Sequence, residues 1–319
     1  MIPRASCAER DVVCHHGAMT TLRVGTFTPS IVIELARRRG DFERADLAVE
    51  EQAVVSSPAQ FRSLSGGDLD VAITSPDNVL AYHFLTDNPL SRRLDLRILN
   101  ALDRGTGLSL WLAPGLRVED VRGATVGVDV ATSGFAFVAY ALLERAGIAR
   151  ADYAVDALGS TPQRARALID GTCAATVLNA GNELRAADAG CTCAGTVTDL
   201  GPYLGTVIAT MDALAEPWRS ASERFAEVLV GVARDVVAGA LDDEVVGATR
   251  ALLGLPLADA TRHLAILKDP HTGLVTDGRV DRASIATLVS LRRRFLASAE
   301  LDAIDSSLDD VVRDGVLAG

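Results

Sequence analysis

The chain has 319 residues, 49 % of them apolar and 23 % charged, and a formal charge of −11. That length suits two α/β domains with real cores, and the apolar fraction excludes a disordered chain. The acidic balance argues against a nonspecific nucleic-acid binder, which needs a basic surface to release counterions.

Lys268 is the only lysine, and arginine carries the remaining positive charge. The five cysteines, Cys7, Cys14, Cys173, Cys191 and Cys193, include no CxxC pair. Cys191-Thr-Cys193 supplies only two thiols and is too thin a cluster to hold a metal, so no metal site is expected. The odd count points towards a reducing compartment. Residues 1–18 carry Arg4, Glu9, Arg10, Asp11 and the pair His15-His16 without the apolar run of a secretory signal. They read as a disordered leader or a misassigned start ahead of Met19. No later stretch approaches about 18 uninterrupted apolar residues, so no membrane span is expected. On this reading the protein is cytoplasmic, or extracytoplasmic if the start lies elsewhere.

The elements follow in a βαβ series. Residues 22–26 read as a strand, and Thr28 and Pro29 suit the start of the helix over 31–38. Residues 48–55 are a second strand, and Ser56-Ser57-Pro58 opens the next helix. Gly66 and Gly67 then break that helix, residues 68–73 form a buried strand, and Thr74-Ser-Pro-Asp-Asn78 follows at its carboxyl end. Open α/β sheets hold ligands at such ends. After a strand over 94–103, Arg104-Gly-Thr-Gly107 relaxes the backbone. A second copy of the same grammar appears at Leu168-Ile-Asp-Gly-Thr-Cys-Ala-Ala-Thr-Val-Leu-Asn-Ala-Gly-Asn182. Thr132 and Ser133 again stand at a helix start after a strand. Gly201-Pro-Tyr-Leu-Gly-Thr206 reads as a return crossing, and helices dominate from Trp218 onward.

Five stretches, in this order and spacing, carry a resemblance to a known family. They are Leu22-Arg-Val-Gly-Thr-Phe27, Gly67-Asp-Leu-Asp-Val-Ala-Ile-Thr74, Val121-Arg-Gly-Ala-Thr-Val-Gly-Val128, Gly171-Thr-Cys-Ala-Ala-Thr-Val-Leu178 and Gly201-Pro-Tyr-Leu-Gly-Thr-Val207. Together they resemble the type II periplasmic-binding-protein fold, in the branch of sulfonate, nitrate and thiamine-pyrimidine binders. The resemblance implies an α/β protein of two hinged lobes, each a doubly wound mixed sheet. Lobe 1 would take residues 19–104 and, mostly as helices, 204–319; lobe 2 would take 105–203. Phe27, Thr28, Ser57, Thr74, Ser75 and Asp77 would face the cleft from lobe 1, and Thr132, Ser133, Asn179 and Asn182 from lobe 2.

The function this implies is reversible capture of a small-molecule ligand by lobe closure, for delivery to an ABC transporter permease, with no cofactor and no catalytic residue. Helix starts at Pro29, Ser57 and Ser133 favour an anion, Asp77 favours a cation or an N–H donor, and no arginine lies inside the motifs. The expected ligand is a neutral or zwitterionic metabolite, with Trp111 and Tyr203 available to stack on a ring. The alternative is a cytosolic enzyme of the same fold acting on a small acidic or heteroaromatic substrate, with Asp77 as a base. The synthases of this fold carry a lysine and a histidine just after the corresponding strand, where this chain has Thr74 and Asn78. His83 lies about two turns from Ser75, and His263 and His271 fall in the C-terminal helices. A third reading, the effector-sensing half of a regulator, would need a separate DNA-binding partner, since too little chain precedes Leu22 for a helix-turn-helix.

Overall fold

A computed structural model describes residues 19–296 and 298–318; the leader, with its histidine pair, Cys7 and Cys14, lies outside them. The first half contains β1 (Thr20–Thr26), α1 (Ile31–Arg38), α2 (Asp41–Arg44), β2 (Leu47–Ala53), α3 (Ser57–Gly66), β3 (Val71–Thr74), α4 (Pro76–Phe84) and β4 (Leu96–Asp103). The chain continues through β5 (Ser109–Leu112), β6 (Thr125–Val128), α5 (Gly134–Arg145), β7 (Ala154–Ala157), α6 (Thr161–Ile169), β8 (Ala175–Leu178), α7 (Asn182–Asp188) and β9 (Thr192–Thr196). It returns through β10 (Thr206–Met211) and closes with α8 (Trp218–Val237), α9 (Asp242–Leu253), α10 (Leu257–Lys268), β11 (Val280–Asp281), α11 (Arg282–Phe295), α12 (Asp302–Val311) and β12 (Leu317–Ala318).

Two five-stranded mixed sheets result, in the orders β2-β1-β3-β10-β4 and β7-β6-β8-β5-β9. Each pairs three parallel strands with an antiparallel return strand, β10 on β3 and β5 on β8. Among the described residues two segments join the sheets, 104–108 and 197–205. They meet closely: a Cβ on Gly205 would stand 2.3 Å from the Gly105 backbone.

The helix starts explain themselves locally. Ser30, Ser56, Ser75 and Ser133 each accept a backbone N–H of the helix they precede, closing orphan donors of the first turn. Ser30 takes the capping place expected of Thr28, because α1 begins two residues later than Pro29 suggests. Gln60 of α3 donates to the carbonyls of Gly25 and Ile73 at 3.0 and 3.1 Å, tying that helix to the ends of β1 and β3. The outer edge of β4, which would otherwise expose unpaired backbone, is covered by later chain. Ala101 and Arg104 donate to Gly278 and Gly273, and Arg313 donates to Ile98.

One apolar cluster runs through both halves, joining Phe61 and Leu80 to Phe137, Leu142, Leu288 and Val289. A second lies under α1, α8 and α9, and a third beneath α6 and α7. The C-terminal helices therefore do more than complete the first lobe. Whereas α8 and α9 pack on α1, α11 packs on α4 and α5 together. Phe295 stacks on Phe137 at 6.0 Å, and Arg294 pairs with Glu144. Among the described residues no helix is long and apolar enough to cross a membrane.

Candidate functional site

The carboxyl ends of the central strands of both sheets open on one cavity of about 130 Å³. Thr26, Thr74 and Asp103 reach it from β1, β3 and β4, and Asp129 and Asn179 follow β6 and β8. Its far wall is apolar, formed by Ile31, Val32, Leu102, Leu253, Leu267 and Leu274. A ligand here would present a polar end to the strand ends and an apolar flank to α1, α9 and α10.

Six residues expected from sequence to bind ligand line the cavity: Phe27, Thr28, Thr74, Ser75, Ser133 and Asn179. Several are already engaged. Thr74 Oγ1 accepts from Asn78 at 3.1 Å, Ser133 donates to Asp129, and Asn179 Nδ2 donates to the Gly105 carbonyl at 3.1 Å. The other four stand elsewhere. Asn182 is buried behind Asn179 and donates to its carbonyl at 2.9 Å. Ser57 and Thr132 line a water-sized space beside Arg292. Asp77 is buried in an ion pair with Arg292, so its carboxylate is answered from α11 and no cation or base role is open to it there.

The residue that sequence reasoning missed is Arg164. It sits in the first turns of α6, is 2 % exposed, and lines the cavity. Its Nη1 donates to Gly159 O at 2.7 Å and its Nη2 to Thr161 Oγ1 at 3.1 Å and Val177 O at 3.4 Å, while Nε has no partner. Among the described residues no carboxylate lies within ion-pair distance of it. Burial lowers its pKa, opposed by the field of Asp129 across the cavity. A buried, unpaired guanidinium is costly and calls for an anion. Four helix starts, of α1, α4, α5 and α6, converge on the same space and add partial positive charge.

The acidic side is set by Asp129 and Asp103. Asp103 accepts from Gly105 N and from Thr206 Oγ1, and burial still pushes its carboxyl upward. His263, from α10, is 2 % exposed with Nδ1 unpartnered, and burial pulls it down to about 4, so it is neutral at pH 7. Asp129 could have been found from sequence, because it directly follows β6, at the same carboxyl end that Thr74 marks in β3. Arg164 could not, because the helix holding it carries no motif. Trp111 is tied to Ser109 and Tyr203 is buried; neither lines the cavity. His83 accepts from Leu96 N, and burial lowers its pKa. No cluster of His, Cys, Asp and Glu able to hold a metal is present among the described residues.

No family model matches the sequence, and no curated protein matches it. Solved structures do. The alkanesulfonate-binding protein SsuA from Xanthomonas axonopodis pv. citri, bound to MOPS, superposes with a TM-score of 0.66 at 15 % identity, over 92 % of this chain and 94 % of its own. The periplasmic nitrate-binding protein NrtA from Synechocystis gives 0.69 at 13 % identity, covering 93 % and 87 %. The CA3427 gene product of Candida albicans, described as having the generic periplasmic-binding-protein fold, gives 0.71 at 16 %, covering 94 % and 98 %. The chain has the two-lobed periplasmic-binding-protein fold of type II. At these identities the likeness speaks for the fold, and the resemblance read from the motifs is met at that level.

Proposed function

We propose that the protein is a solute-binding protein that captures a small zwitterionic metabolite between its lobes and hands it to an ABC-type permease. The observation that carries this reading is Arg164, a buried and unpaired cation on the wall of an interlobe cavity. An acidic group of the ligand would take the Arg164 guanidinium and the helix-start amides. An N–H donor would take Asp129, and an apolar flank would rest on Ile31 and Leu267. The alkanesulfonate and nitrate binders of the same fold bind anions, which supports an acidic group on the ligand. Binding needs no nucleophile, and Thr74 and Asn78 offer none. Uptake places the protein outside the cytoplasmic membrane.

The test is a thermal-shift screen of the full chain against pooled amino acids, amino-sulfonic acids and related zwitterions, with mass spectrometry of each hit before and after incubation. The reading expects a raised melting temperature with an unchanged ligand. Mass conversion of the hit would instead support an enzyme of this fold, and a screen in which only cations raise the melting temperature would contradict the role of Arg164.

A further inference from the structure

Beside the cavity, α7 of lobe 2 meets α9 and α10 along a seam that is rich in acid groups. Leu184 shares an apolar cluster with Leu253 and Leu255, and Gly181, at φ +86°, lies against the same leucines and near His263. Glu183 points into this seam. It is 3 % exposed, and neither carboxylate oxygen has a hydrogen-bond partner. A Cβ on Gly107 would stand 3.4 Å from Glu183 Oε1 and 3.3 Å from Ile266, so the carboxyl is held between a connecting segment and α10. At the other end of α7, the neighbouring Asp259 of α10 raises the carboxyl of the exposed Asp188.

The groups that face Glu183 leave its charge unanswered. From α10 come Arg262, already taken by Asp259 at 3.0 Å, and His263, neutral above about pH 4. The segment around Gly107 presents no charged side chain to it, since Arg104 turns away to Asp281. On α7 itself Arg185 lies against Gly254, and the amides of Gly181 and Glu183 favour the ionised form without completing a hydrogen bond.

We propose that this seam is a proton-dependent latch: closing the lobes buries Glu183 as the neutral acid and brings Asp188 onto Asp259, so closure takes up protons. The sign follows from burial. It pushes Glu183 from 4.5 up to about 8, so the closed form holds a proton that the open form releases over that interval. Each proton taken up changes the closed-to-open ratio by at most about tenfold per pH unit, in favour of the open form as pH rises. The latch concerns lobe closure and stands whether or not the cavity takes a zwitterion.

Double electron–electron resonance on the unliganded full chain tests it, with Cys7→Ser and Cys14→Ser and labels on Val55→Cys in lobe 1 and on Cys193, the exposed cysteine of lobe 2. The closed-to-open ratio is expected to fall at least about tenfold between pH 6.5 and 8.0, above the range in which His263 titrates. Glu183→Gln should remove most of that dependence, and Asp188→Asn should reduce it. A ratio independent of pH in the parent, or a full dependence retained by Glu183→Gln, overturns the proposal. If Glu183→Gln does not fold by circular dichroism, Asp188→Asn decides: a reduced dependence supports the latch, and an unchanged one overturns it.

Discussion

Arg292 closes on Asp77 through two hydrogen bonds, Nε to Oδ1 at 2.8 Å and Nη2 to Oδ2 at 2.6 Å, across 215 residues of chain. The same guanidinium donates to the Thr132 carbonyl at 3.0 Å and lies over the Phe137 ring at 4.9 Å. One side chain of α11 thus joins α4 of the first lobe to the start of α5 in the second. Both members of the pair are buried, so removing either leaves an unanswered charge. Asp77→Ala or Arg292→Ala is expected to cost about 3–5 kcal/mol, read as a lower urea midpoint. Asp77→Leu combined with Arg292→Met should cost much less than either single change, because no charge is left stranded.

Arg164 predicts the opposite separation of stability from function. Its guanidinium has no carboxylate, so Arg164→Met removes a costly buried charge and gives up three hydrogen bonds, to Gly159, Thr161 and Val177, two effects of opposite sign. The free protein should stay within about 1 kcal/mol of the parent in urea unfolding. The ligand-induced rise in melting temperature should disappear. Loss of folding in Arg164→Met would show that the three hydrogen bonds to Gly159, Thr161 and Val177 are structural in the first place.

The crossing of the two connecting segments leaves no room at Gly205, where a Cβ would meet the Cα and N of Gly105 at 2.3 Å. Backbone cannot yield as a side chain does, so Gly205→Ala should destabilise by about 3 kcal/mol, at the upper end of overpacking costs. Gly134→Ala meets the Asp77 side chain at 2.7–2.9 Å and should act in the same direction. Thermal melts of the two variants check this, and Gly205→Ala should melt lower.

His263 predicts a loss of stability in acid. Burial depresses it from 6.5 to about 4, so between those values the unfolded chain binds a proton that the folded chain refuses. Its contribution is present above about pH 6.5 and falls as pH drops to about 4, by roughly 3 kcal/mol over the interval. His263→Gln should flatten that limb in urea titrations at pH 4.5 and 7. An unchanged pH slope in the variant would place the acid sensitivity elsewhere.

Much of the architecture can be read from the chain because it rests on local signals. Serine caps before α3, α4 and α5, glycines at 66, 67, 105 and 107, and apolar runs such as Val71–Thr74 each mark an element by its own chemistry. The cavity was half legible for the same reason: Thr74, Ser75, Ser133 and Asn179 follow strands and sit where strand ends must open. What could not be read depends on pairs distant in sequence. Asp77 looks like a ligand contact until Arg292 arrives from α11. Arg164 looks like an ordinary arginine of a helix until β8 and the 159–161 turn bury it. His263 becomes part of the cavity only when α10 packs on α8 and α9 and comes up against Gly107 and Gly181.

Native mass spectrometry of the full chain, incubated with the zwitterion that raises its melting temperature most, measures the proposed function at its charged centre. The account predicts one ligand per protein, released with its mass unchanged, and loss of that adduct in Arg164→Met while the variant remains folded. An adduct retained in full by folded Arg164→Met would contradict the account, because the unpaired guanidinium would then have no part in holding the solute.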